Sequence, residues 1–435
     1  MLNKPNTMRH RSLLLASTLG TCLALTACTG GGNGGGGQSS ESGSTGATPE
    51  GTIEFQTNLG LNVPILEVLQ EITDEYEASH EGVSIELVPT TSSYEADLKV
   101  RLASNDPPDI WSTHGWSLQR YSDFLVPLDD QPWAANFNPA LDDAMRDSEG
   151  HFYALPANTD VAGIVYNKDV LDKAGIDPKS IETWEQFDAA LAAIKDLGVI
   201  PISASGKDDY FAGNIADFMA SGFYSEENRE ALKSGEFPSE PYTVLLEHIK
   251  KWADAGYFNP DYSSAPMDDI ARALGQGETA FVFVQNNVVG TALTYNPEAH
   301  LGYMPVPNDN GSKYLLGGEA YAYGVSKTSP HKDQALDYLA FIAEPENAAK
   351  LASAIGGIPG LTNAKSDLGP LQESYETFVE PNKIPLEPYF DRVYLPNGMW
   401  DTMVSTADSI ISLQGDVPSA VKQMESQFKT LYGQN

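Results

Sequence analysis

Cysteine is almost absent from this 435-residue chain: Cys22 and Cys28 are the whole complement, and no thiol follows them. That excludes a disulfide framework, a cysteine nucleophile and a cysteine metal site from everything after residue 28. Cations are scarce too, 26 Lys and Arg against 60 Asp and Glu, a net charge of −34. Such a surface is repelled by phosphate backbones and anionic lipid, so nucleic acid is excluded as a partner. His10, His80, His114, His151, His248, His300 and His331 are scattered without metal-ligand spacing, and neither metal nor cofactor is expected. Past the first 27 residues no stretch is long and apolar enough to span a bilayer, which excludes a permease. No G-x-x-x-x-G-K-[ST] run exists, which excludes the ATPase of a transporter. G-x-S-x-G, H-E-x-x-H and a Cys–His arrangement are also missing, which removes the commonest hydrolase signatures.

What is present begins with an address. Lys4, Arg9 and Arg11 precede the apolar stretch from Leu13 to Leu25, and Leu25-Thr26-Ala27 leads into Cys28. A basic start, a short apolar core and small residues before a cut make an export signal over residues 1–27. The stretch is shorter than the roughly 20 residues of a spanning helix. A Cys directly after Leu-Thr-Ala resembles the bacterial lipobox, which implies that Cys28 carries lipid and becomes the new N-terminus. Residues 28–51 are mostly Gly, Ser, Thr, Asn and Gln, too polar to fold, and read as a flexible tether. Losing the signal with its three cations takes the net charge from −34 to −37. The expected location is the outer face of the bacterial cytoplasmic membrane, where two acyl chains hold firmly and one does not.

Residues 52–435, in a chain with 41% hydrophobic content, suffice for two buried domains and exceed one ordinary core. Short strands alternate with amphipathic helices. Ile53–Thr57 reads as a strand, followed by a helix from Pro64 whose apolar face holds Ile65, Leu69, Ile72 and Tyr76. A strand at Val83–Leu87, a helix at Tyr94–Leu102 and a strand at Asp109–Trp111 complete a βαβαβ opening, which implies a mostly parallel sheet. In the middle, Thr183 with Gln186 forms a capping box ahead of Phe187, Leu191 and Ile194, and Gly198 ends that helix before Val199–Ile202. A helix through Leu245, Ile249 and Trp252 is stopped by Gly256. Thr279–Val284 reads as a buried strand, and Leu301–Val306 and Tyr321–Ser326 as two more. From Lys332 the chain is mainly helical, ending in helices near Trp400–Leu413 and Pro418–Tyr432. The fold class is α/β, with two doubly wound lobes, a cleft between them at the strand carboxyl ends, and C-terminal helices.

Several segments carry a resemblance. They are Leu102-Ala103-Ser104-Asn105-Asp106-Pro107-Pro108-Asp109-Ile110, Tyr153-Ala154-Leu155-Pro156, Val165-Tyr166-Asn167-Lys168-Asp169, Thr183-Trp184-Glu185, Gly277-Glu278-Thr279-Ala280 and Gly317-Gly318-Glu319. In their order and spacing, residues 52–435 resemble the extracellular solute-binding proteins of carbohydrate ABC importers, the group that contains maltose-binding protein. The resemblance implies two lobes joined by hinge crossings near Asp160–Ile164, Leu301–Val306 and Tyr323–Ser329. It divides the chain into an N-terminal lobe of residues 52–160 plus 304–328 and a C-terminal lobe of residues 161–303 plus 329–435. It also implies a monomer that closes on an oligosaccharide and presents it to ABC permease subunits.

A sugar needs aromatic faces for its C–H surfaces and planar polar groups for its hydroxyls. Trp400 and Tyr210 match stacking positions of the family, and Asp160 matches a carboxylate at the first crossing. His114 and Trp116 lie on the loop after Asp109–Trp111, and Asn58 at the end of the first strand; both are carboxyl-end positions. Trp116 has no exact counterpart in maltose-binding protein, which carries a charged residue there. Asn286 and Asn287 stand where maltose-binding protein has an aromatic, which makes a maltodextrin a poor fit. Gly318 permits close backbone approach beside Glu319, and Asp391 sits in a Pro-rich loop within reach of the cleft.

The expected function is therefore a lipid-anchored receptor for a neutral oligosaccharide. A receptor for glycerol phosphate or another small polar solute is the nearest rival and should show Arg or Lys among the strand-end loops, for which Arg120 and Arg392 are the candidates. A glycoside hydrolase would use paired carboxylates such as Asp208 with Asp209, or Asp160 with Glu319. A surface adhesin would need no converging aromatics.

Overall fold

A computed structural model describes residues 51–433 apart from 62, 91–93, 114–117, 209 and 380–383. These described residues belong to one compact unit. The first strands are β1 (Gly51–Gly60), β2 (Val83–Thr90), β3 (Ile110–Thr113) and β4 (Leu155–Pro156). The middle of the chain supplies β5 (Asp160–Ala162), β6 (Ile164–Asn167), β7 (Ile200–Ile202) and β8 (Thr279–Phe283). The last four are β9 (Leu301–Met304), β10 (Leu315–Gly318), β11 (Ala322–Val325) and β12 (Leu386–Pro388).

They make three sheets, in the orders β2-β1-β3-β11-β4, β7-β8-β6-β9 and β12-β10-β5. Both large sheets are mixed, with two of four pairings parallel in the first and one of three in the second. In the first, β1 runs parallel to β2 and β3, while the late strand β11 lies antiparallel between β3 and β4. In the second, β7 and β8 are parallel, and β6 runs antiparallel to β8 and β9. The expectation of mostly parallel sheets thus holds for the βαβ portions. It fails at β11, which lies antiparallel to β3 and β4, and at β6, which lies antiparallel to β8 and β9.

Helices cover both large sheets. The helix Trp184–Asp196 starts at the expected capping box: the Thr183 hydroxyl accepts from Gln186 N–H and the Gln186 side chain accepts from Thr183 N–H. Two large cores result, beside a smaller cluster of Tyr94, Leu98, Leu102, Trp111, Tyr121 and Leu125. One is built on Phe55, Ile110, Trp133, Phe152 and Tyr323, the other on Trp184, Phe187, Trp252, Phe281 and Phe428.

The division of the chain differs from the expected one in two places. The helix Lys332–Ile342 carries Ala335, Tyr338, Leu339 and Ile342 on one face, and all four enter the first core. The Tyr338 hydroxyl lies 2.6 Å from the Thr73 hydroxyl, and Tyr76 donates to Asp337 at 2.9 Å, which fastens this helix to Pro64–Ser79. Conversely Met304, Val306, Tyr314, Leu315 and Leu316 pack in the second core. Periodicity reveals that a helix has an apolar face; which core receives it depends on contacts hundreds of residues away.

The third sheet lies where the chain changes core, from Ala157 in the first to Val161 in the second and from Leu316 in the second to Ala322 in the first. In it β5 pairs antiparallel with β10, Asp160 opposite Gly318, and β12 adds to β10 in parallel. Between β5 and β6 the backbone passes so close to β9 that a side chain at Gly163 would sit 2.2 Å from the Met304 carbonyl oxygen. Only glycine permits that approach.

Candidate functional site

Between the two cores lies a cavity of about 450 Å³, within the usual range for a small-molecule site. The first lobe contributes Glu95 and Arg120; the second contributes Tyr210, Asn214, Gln285, Tyr389, Asp391, Arg392, Trp400 and Asp401. Tyr210 opens the helix Tyr210–Phe223 that follows β7, and Gln285 follows β8, so the carboxyl ends of two parallel strands feed the site. The preceding turn is set by Ser205, whose hydroxyl accepts from Asp208 N–H at 2.7 Å. The Tyr210 ring stacks on Phe211 with centroids 4.6 Å apart. Burial, reinforced by Asp208, pushes its phenol well above the ordinary tyrosine range, so it stays a neutral donor. Trp400 begins the helix Trp400–Ile411 and is half-buried. Its ring has room because residue 213 is glycine: a Cβ there would lie 2.8 Å from the indole. Across the cleft, the Tyr94 hydroxyl donates to the Ser112 carbonyl, fixing the helical turn that carries Glu95.

Behind the cavity wall sits a buried polar network. Tyr389 follows β12, and its ring rests on Gly318, where a Cβ would come within 2.6 Å. Its hydroxyl donates to Asp160 Oδ2 at 3.0 Å, and the Asn158 amide donates to Asp160 Oδ1 at 2.8 Å. The Arg392 guanidinium lies 4.3 Å over the same ring, donates to the Glu319 carbonyl at 2.5 Å and faces the Glu319 carboxylate at 3.6 Å. Asp217 accepts from the Asp391 backbone N–H at 2.8 Å. Burial raises Asp217 and Asp391, with mutual repulsion adding to the first, so the pair retains a proton that isolated carboxylates would lose. Burial also pushes Asp160 up to about 6, against the pull of Arg392 and the Tyr389 and Asn158 hydrogen bonds.

The structure brings three expected site residues, Tyr210, Asp391 and Trp400, into the one cavity. Asp160 and Glu319 are buried beneath it. Gly318 is the seat of the Tyr389 ring. Asn286 is buried and its amide donates to the Val161 carbonyl at 2.9 Å, tying the start of the helix Asn287–Tyr295 to the crossing strand, while Asn287 is exposed. Asn58 is half-buried within β1, with its N–H on the Ser112 hydroxyl at 3.1 Å. His114, Trp116 and Cys28 lie outside the described residues. Tyr389, Asn214, Gln285 and Glu95 went unnoticed in the sequence. The one signal was the Gly317-Gly318 pair, which implied a close approach without saying by what. Both arginines of the cavity are paired, Arg120 with Glu95 at 3.2 Å and Arg392 with Glu319. Among the described residues no group of His, Cys, Asp or Glu is arranged to hold a metal, and no helix is long and apolar enough to cross a membrane.

Comparison with known proteins gives a consistent set of likenesses. The profile of a family described as bacterial extracellular solute-binding protein matches residues 63–349. The melibiose/raffinose/stachyose-binding protein MelE of Bacillus subtilis (strain 168) is 30% identical over 346 residues, 78% of this chain and 80% of its own. The sn-glycerol-3-phosphate-binding periplasmic protein UgpB of Escherichia coli (strain K12) is 24% identical over 321 residues, 68% of this chain and 72% of its own. A crystal structure of the putative binding protein MsmE from B. subtilis, in an open conformation, superposes with a TM-score of 0.81 at 28% identity, covering 89% of this chain and all but 1% of that one. A sugar transporter from Bacillus licheniformis in complex with stachyose superposes with a TM-score of 0.77 at 29% identity, covering 87% and 100%.

The raised Asp160 gives a pH signature. Unfolded, this carboxyl titrates near ~3.9; folded, near about 6. Between those values the folded state holds the extra proton, so stability should rise as pH falls from 7 toward 4.5, by on the order of 1–3 kcal/mol from this group. Asp217 and Asp391 act in the same sense. Asp188, which burial would raise but hydrogen bonds from His248, Lys251 and Trp252 hold at about 2, opposes this only below about pH 4. Thermal denaturation from pH 4.5 to 7 should show that slope, and Asp160→Asn should flatten it. An equal slope in the variant would mean that Asp160 is ionised throughout.

Proposed function

Since the chain belongs to the bacterial extracellular solute-binding protein family, we propose that it captures a neutral oligosaccharide between its two lobes and delivers it to an ABC permease. The observation that carries this reading is the cavity itself: Trp400 and Tyr210 share it with Asn214, Gln285, Asp391 and two arginines that already have acidic partners. Aromatic faces take the C–H side of a sugar ring, and amides, carboxylates and guanidinium groups take its hydroxyls. Supporting the raffinose series as the ligand class are the relative named for melibiose, raffinose and stachyose and the similar structure holding stachyose.

The likeness to UgpB favours glycerol phosphate as a second reading. It is disfavoured by Glu95 and Glu319, since a phosphate would have to compete with a carboxylate for either arginine. A hydrolase working through Asp160 and Glu319 is disfavoured because neither lines the cavity; the protein acts by binding, not by catalysis. Each lobe has its own core, and the sheet β12-β10-β5 lies at the crossings, so a ligand that touches both lobes stabilises the closed arrangement. The protein works as a monomer, anchored outside the cytoplasmic membrane by lipid on Cys28, which keeps it near its permease.

Titrating intrinsic fluorescence with melibiose, raffinose, stachyose and glycerol 3-phosphate tests the reading. One of the three sugars should give a saturable change, weakened more than tenfold in Trp400→Ala. A response to glycerol 3-phosphate alone would reverse the choice of ligand. Fractionating bacteria that express the chain tests the anchor: the protein should sediment with membranes, and Cys28→Ser should release it. A variant that stays membrane-bound would rule out lipid at this residue.

A further inference from the structure

The residues at the first crossing suggest a division of labour that differs from the expected one. Asp160 lies on β5, where its register partner is Gly318 of β10. Tyr389 enters directly from β12, the third strand of the same small sheet. Both Asp160 oxygens already accept hydrogen bonds from within the protein, Oδ2 from the Tyr389 hydroxyl and Oδ1 from the Asn158 amide. Glu319 is fully buried behind Arg392. Of these groups only Tyr389 and Arg392 line the cavity. They are joined face to face, with the guanidinium 4.3 Å over the ring.

We propose that Asp160 and Glu319 are positioning residues that never touch the ligand. They hold Tyr389 and Arg392 as a single rigid wall bonded to the crossing strands, and that wall reports cavity occupancy to the hinge. The physical reason is connectivity. A ligand that bonds Arg392 or packs on Tyr389 pulls on groups fixed to β5 and β10, the strands through which the chain passes from one lobe to the other. A wall standing on a side chain alone, with no bond to those strands, would bind without biasing the lobes. Gly318 makes the arrangement possible, since a side chain there would push the ring off the sheet.

This inference rests on the sugar-binding reading, and a double-mutant cycle separates the two. Asp160→Asn, Tyr389→Phe and the double variant are compared by calorimetric titration with stachyose or whichever raffinose-series sugar binds. If Asp160 acts through Tyr389, each single variant weakens binding about tenfold, the scale of one hydrogen bond to a charged group. The double variant then weakens it about tenfold as well, not a hundredfold. Additive losses would mean that Asp160 meets the sugar directly, and unchanged affinity in both singles would mean a merely structural role; either result overturns the proposal. The same cycle in thermal denaturation without ligand should also be non-additive. Additivity there denies the Asp160–Tyr389 link whatever the ligand is. Coupling there with no sugar bound by the wild-type protein would sink the sugar reading and with it the reporting role.

Discussion

The Tyr389 ring can lie against β10 only because residue 318 has no side chain, and much of the cleft depends on that contact. With the ring seated, its hydroxyl reaches Asp160 on one crossing strand and its face carries the Arg392 guanidinium. Arg392 in turn reaches Glu319 just beyond the end of β10. Three segments from residues 160, 318 and 389 thereby become one floor beneath the cavity. The aromatic partners across it are separately supported, Trp400 by the space left at Gly213 and Tyr210 by Phe211.

Charge balance in this floor bears on what the cleft accepts. Arg392 is largely buried and would be costly alone, but Glu319, Asp160 and Asp391 surround it. The acids outnumber the cation, and the excess is relieved by the proton that the buried Asp217 and Asp391 pair retains. A site so arranged offers donors and acceptors without a net positive field. That suits a hydroxyl-rich neutral ligand better than a phosphate, and fits a chain whose surface is strongly acidic.

Much of the fold was legible because its signals are local. The capping box at Thr183 and Gln186, the apolar face from Ile65 to Tyr76 and the buried strand at Thr279 each appear where their residue patterns put them. Family resemblance pointed to Trp400 and Tyr210, and both line the one cavity. What escaped was set by distance. Leu386–Pro388, flanked and ended by proline, reads as a loop, yet it pairs as the edge strand of the crossing sheet, where a missing N–H is tolerated. Nothing near Asp160 says that its carboxylate is taken by a tyrosine 229 residues away. Nothing near Asn286 says that its amide donates to the Val161 carbonyl, 125 residues away. Neither of these hydrogen bonds within the protein is signalled by the residues next to it in sequence.

The most direct test of a receptor that closes on a neutral oligosaccharide is a crystal structure of the protein with a bound raffinose-series sugar. The account predicts one sugar ring stacked on Trp400, with Tyr389 and Arg392 still bonded to Asp160 and Glu319 beneath it. It also predicts Glu95 or Arg120 brought against the sugar from the other lobe. A sugar bound away from Trp400, or held by one lobe with the cleft no narrower than without it, would contradict the account.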